Sequence, residues 1–154
     1  FLSAWVIGRF EDTIQQLVAL AILMPVVAGM GGIAGSQTLT IAIRGIALGQ
    51  IAKTNIKPLL IKELSIGILN GIFWSCIVAM VVILWFGQLS LGVIIGASMI
   101  INLVIAALAG ATIPIVLKRY GIDPAIAGGV ILTTITDVVG FVTFLGLATI
   151  FLLR

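Results

Sequence analysis

The sequence predicts an all-α, polytopic transmembrane helix bundle, and three observations carry that prediction. Of its 154 residues, 62% are hydrophobic and only 8% are charged, with a mean hydropathy of +1.38. A soluble domain has about half its residues apolar and needs far more charge to cover its surface. The stretch 64–117 holds no charged residue, and it is more than twice the ~20 residues that cross a bilayer as a helix. The apolar runs are also unbroken, as in MVVILWF at 80–86, whereas a membrane β-strand alternates apolar and polar residues. Backbone groups in such runs are satisfied within helices.

Charges divide the chain into elements. Residues 1–8 are apolar but too short to span, and no signal-peptide pattern precedes them. They read as the tail of a first helix whose start is missing. Arg9, Glu11 and Asp12 form the first polar break. Residues 13–43 are uncharged, and as one helix they would run about 46 Å, well beyond the ~30 Å hydrocarbon core. The second helix is therefore expected at about 13–52, tilted or broken. Its break is expected in MPVVAGMGGIAG at 24–35, which holds one proline and four glycines.

Arg44, Lys53, Lys57, Lys62 and Glu63 then mark an aqueous loop. The long uncharged stretch must hold two helices. A turn in FGQLSLG at 86–92 places them at about 64–86 and 92–117. Lys118, Arg119 and Asp123 form the next loop, and Asp123-Pro124 reads as a helix start, with Asp as the cap and Pro in first position. The last helix is expected at about 124–152. No internal repeat or low-complexity segment interrupts this order.

Lysine and arginine set orientation in membrane proteins. Arg44, Lys53, Lys57, Lys62, Lys118 and Arg119 fall on one side, and only Arg9 and Arg154 on the other. The basic loops are expected in the cytoplasm and the C-terminus outside, in a multi-pass protein of the inner (plasma) membrane. A net charge of +3 is too small to point to nucleic acid. With no histidine and one cysteine, Cys76, neither a histidine metal site nor a Ser-His or Cys-His pair is possible. The chain does not read as an enzyme.

Chemistry concentrates in two places. Asp137, in TTITDVVGF at 133–141, lies ~21 Å along the last helix from Asp123. A carboxylate that deep in a membrane is a functional-site hypothesis by default. No lysine or arginine lies at matching depth, so a cation, a proton or water must face it. A hard cation such as Mg²⁺ suits one carboxylate with hydroxyls and carbonyls. The alternative is a protonated or hydrogen-bonded Asp137 that joins helices in a structural membrane subunit. The second place is Ser36, Gln37 and Thr40, where Ser36 and Thr40 are one helical turn apart beyond the glycines. Those glycines serve either an ion cavity or close helix packing. Asn70 and Asn102 are expected to hydrogen-bond between helices. Gly67/Gly71 and Gly92/Gly96 have the spacing of packing motifs.

PVVAGMGGIAGSQTLTIAIRGIALG at 25–49 resembles the glycine-rich second transmembrane helix of the MgtE magnesium transporter family. GIDPAIAGGVILTTITDVVGF at 121–141 resembles the family's last helix. The resemblance covers nearly the whole chain, 1–154, and implies a five-helix pore domain that works as a homodimer, its second and fifth helices lining a Mg²⁺ pathway. It implies that Asp137 binds the ion with the main-chain carbonyl of Thr133, and that Ser36 and Thr40 line the same pore. Asp123 would lie near the cytoplasmic mouth, where gating ions bind. Cytosolic N-terminal and CBS domains are expected in the full-length protein. Two positions depart from the family pattern: Ile33 and Gly129 stand where many or some members carry asparagine. Selectivity for another divalent ion such as Co²⁺ stays open. No ATP-site motif appears, so flux is expected to be passive.

Overall fold

Long apolar runs and their punctuation set the helices seen in the computed structural model, which describes residues 1–51 and 55–152. Lys53 and Arg154, both used in the charge argument, lie outside the described residues. Among the described residues there are six helices and no strand. Two are short: α1, Leu2–Gly8, and α2, Glu11–Gln16. Four are long and apolar enough to cross a membrane: α3, Ala19–Ala47; α4, Ile56–Phe86; α5, Leu89–Arg119; and α6, Pro124–Leu152. At 29 to 31 residues each, they run about 43–47 Å, so they tilt or project beyond the ~30 Å core.

Local chemistry explains the ends. α4 stops at Gly87, whose left-handed φ of 67° suits glycine and whose N–H bonds the Ile83 carbonyl at 2.9 Å. α5 then begins two residues on, at Leu89. α6 begins at Pro124, and an Asp123 carboxylate oxygen accepts the Ala125 N–H at 2.9 Å. Pro58 sits in the first turn of α4, where a missing N–H costs no helical bond.

Two elements differ from the sequence expectation. The interruption in the expected second helix falls at Leu17, with φ −137° and ψ 85°, and α3 runs unbroken through Pro25 and all four glycines. Two of them, Gly31 and Gly35, pack against neighbouring helices instead of unwinding. An added Cβ on Gly35 would meet Leu132 at 2.9 Å and the Ala106 carbonyl at 3.2 Å. α4 also starts at Ile56, well before the expected residue 64, so Lys57, Lys62 and Glu63 are helical. Lys57 and Lys62 are exposed, but Glu63 is buried rather than in an aqueous loop.

α5 is the central helix and packs on α3, α4 and α6, while α3 and α6 also pack on each other. The α4–α5 contact uses both glycine pairs. A Cβ on Gly67 would meet Ala107 at 2.9 Å, and one on Gly96 would meet Ala79 at 3.5 Å. The core forms where Leu20 and Val27 of α3, Ile95 and Met99 of α5, and Phe144 and Leu145 of α6 interleave. α4 turns Leu69, Phe73, Leu84 and Trp85 outward, an apolar surface suited to lipid.

Asn102 of α5 is fully buried and donates from Nδ2 to the Val27 carbonyl of α3 at 2.9 Å, as an interhelical hydrogen-bond former should. Asn70 is exposed beside a cavity between α3 and α4.

Candidate metal-ion site

Because α3 and α6 pack side by side, their outward faces make one open groove of about 560 Å³. α3 contributes Ser36, Gln37 and Thr40, and α6 contributes Thr133 and Asp137. Gly29 and Gly32 form part of the wall, and an added Cβ on either would meet nothing within 4 Å. Ile33, 61% exposed, lines the groove as well. The paired glycines therefore divide: Gly32 faces the groove, and Gly31 faces the core against Asn102.

The Asp137 carboxylate makes no hydrogen bond or ion pair with any described residue. Among the described residues it bonds no neighbouring helix, whereas Asn102 does. The hydroxyls around it are oriented by their own helices. Thr40 Oγ1 donates to the Ser36 carbonyl at 2.8 Å, and Thr133 Oγ1 donates to the Gly129 carbonyl at 3.0 Å. A hydroxyl whose proton is held by the backbone presents its oxygen lone pairs outward as an acceptor. The groove thus offers one carboxylate and several acceptor oxygens, with no sulfur or imidazole, a donor set that matches a hard, hydrated cation.

Of the five sequence-expected site residues, the groove brings together Ser36, Thr40, Thr133 and Asp137. Asp123 is not among its lining residues and caps the start of α6. The Thr133 main-chain carbonyl already accepts a hydrogen bond from Thr136 Oγ1 at 3.1 Å. Among the described residues, no three His, Cys, Asp or Glu side chains cluster to form a metal cage. One copy of the groove therefore supplies a single carboxylate.

A sequence model of the MgtE family, described as a divalent cation transporter, matches residues 24–147. The chain belongs to the MgtE family. It is 38% identical over 151 residues to the magnesium transporter MgtE of Bacillus subtilis strain 168, covering 98% of this chain and 34% of that protein. The Enterococcus faecalis magnesium transporter MgtE is 30% identical over 150 residues, 97% of this chain and 33% of that protein. The Thermus thermophilus magnesium transporter MgtE is 31% identical over 147 residues, 96% and 32% respectively. The chain thus spans about a third of the length of these MgtE relatives. This MgtE domain is a multi-pass membrane protein of a divalent-cation transporter family.

Proposed function

We propose that this MgtE domain conducts Mg²⁺ passively into the cytoplasm, through a pore made when two copies face their α3–α6 grooves across a shared axis. The observation that carries this reading is Asp137, a carboxylate without a described protein partner in a groove of acceptor oxygens. One such group in a membrane is expensive. Two facing a dication are both stabilised by it, and each unit-charge pair gains about 4 kcal/mol at 4 Å with an effective dielectric of 20. Mg²⁺ keeps much of its water. Asp137 then acts on the hydrated ion, while Ser36, Thr40 and Thr133 accept hydrogen bonds from its waters.

The membrane potential, negative inside, adds an inward pull of about 2.3 kcal/mol per charge per 100 mV. Asp123, at the head of α6 next to Lys118 and Arg119 in sequence, is proposed to lie at the cytoplasmic mouth and to meet ions there. Cytosolic sensing domains, as the family resemblance implies, would belong to the whole protein. The relatives named as magnesium transporters support Mg²⁺ as the main cargo. Ile33 in the groove keeps preference among divalent ions the property most open to change. The test is uptake of Mg²⁺, Co²⁺, Mn²⁺ and Ca²⁺ into liposomes holding the purified protein. Saturable, Mg²⁺-preferring uptake supports the reading, and no uptake of any ion overturns it.

A further inference from the structure

A second carboxylate is buried on the far side of α3 from the groove. Glu63, the eighth residue of α4, lies about 10 Å along that helix and is only 6% exposed. Its Oε2 accepts a hydrogen bond from Thr38 Oγ1 at 3.3 Å. No described residue forms an ion pair with it. Thr38 stands two residues from both Ser36 and Thr40, which places it on the opposite face of α3 from the groove.

Glu63 also lines two cavities. One, of about 350 Å³, reaches from Thr38 and Glu63 to Gln50 and Asn55 at the α3–α4 connection. The other, of about 170 Å³, runs inward beside Gln37 and Asn70. Both also include Lys62, whose exposed side chain forms no ion pair with Glu63.

A buried carboxylate is paired, protonated or bound to a cation, and Glu63 has one hydroxyl bond and open cavity space beside it. We propose that Glu63 and Thr38 form a second cation site, which takes a hydrated divalent cation from the side of the α3–α4 connection. The outer cavity, of about 350 Å³, is large enough: six waters around an ion occupy roughly 180 Å³ at ~30 Å³ each. The ligands are oxygens, from the Glu63 carboxylate and the Thr38 hydroxyl, with the Gln37 and Asn70 amides reaching the inner cavity. Lys62 opposes the ion, which makes the site weaker than it would otherwise be. Because Thr38 sits on the pore-facing helix, an ion here would brace α3 from behind.

Mn²⁺ serves as the probe, since its bound fraction can be counted by electron paramagnetic resonance on the intact purified protein. Glu63→Gln keeps the shape and removes the charge, so it should lower bound Mn²⁺ by one per chain. Asp137→Asn should leave that site filled, which separates this proposal from the pore reading. An unchanged Mn²⁺ count in Glu63→Gln overturns the site and leaves Glu63 a structural hydrogen-bond acceptor. Lys62 is exposed, so Lys62→Gln keeps the fold even if Glu63→Gln does not assemble. It should tighten Mn²⁺ at this site by about threefold, the size expected for removing an exposed like charge. Unchanged affinity in Lys62→Gln would also count against the site and overturn it.

Discussion

The Asn102 amide on α5 donates to the Val27 carbonyl on α3 at 2.9 Å, and it occupies the space that a side chain on Gly31 or Gly140 would need. One residue of the central helix thus packs against both α3 and α6. Its Oδ1 is buried without a partner among the described residues, so the amide is held by packing as much as by bonding. The two helices that carry the groove are positioned from behind.

That arrangement separates the two central glycines. Gly31→Ala would drive a methyl into the Asn102 amide, and overpacking of this kind costs about 1–3 kcal/mol. Gly32→Ala would meet nothing within 4 Å. Gly31→Ala should therefore lower the melting temperature in detergent by several degrees, while Gly32→Ala leaves it unchanged and reduces flux by narrowing the groove. Equal melting temperatures for the two variants would contradict the packing described here.

Ile33 tests the groove's chemistry. An asparagine there would place a carboxamide oxygen and two N–H donors where the wall is now apolar. Ile33→Asn should shift the half-saturating Mg²⁺ concentration by about threefold or more, or reorder preference between Mg²⁺ and Co²⁺. Concentration curves that superimpose on the parent's for every ion would place Ile33 outside the ion's path.

Orientation is open to direct labelling. Lys57 is exposed in the first turn of α4, and Cys76 is an exposed thiol that must first be replaced by serine. With Lys57→Cys in that background, a membrane-impermeant thiol reagent should label broken cells and spare intact ones. Equal labelling of intact cells would reverse the topology.

Much of the bundle is legible in the sequence because charges and turn residues punctuate it. Gly87 and the Asp123-Pro124 pair mark helix ends by chemistry that needs no tertiary information. The groove is legible for a related reason: Ser36 and Thr40, and Thr133 and Asp137, repeat at one helical turn. The break at Leu17 is not, since neither glycine nor proline stands there. Leu17 is flanked instead by the short α2, whose Thr13 is tied to Thr149 of α6 at 2.9 Å.

The burial of Glu63 is harder to read from the sequence. Beside Lys57 and Lys62 the residue reads as one more loop charge, yet it continues the face of Gly67 and Gly71 at four-residue intervals. That spacing on one helix, a charge in register with two packing glycines, was the available signal for its burial. Gly31 and Gly32 show the opposite limit. Adjacent identical residues carry no pattern that tells the core-facing one from the groove-facing one.

Whether the Asp137 charge holds the passing ion is decided by Asp137→Asn. Asparagine keeps the shape and one carbonyl oxygen but removes a charge from each copy's groove. Mg²⁺ uptake into liposomes should be measured beside melting temperature for the parent, Asp137→Asn and Asp137→Ala. Uptake should fall at least tenfold in both variants, a loss of ~1.4 kcal/mol or more in stabilisation of the ion, with melting temperature nearly unchanged because Asp137 bonds no neighbouring helix. Full uptake in Asp137→Asn, with a lowered melting temperature in Asp137→Ala, would contradict the account and make Asp137 a structural residue.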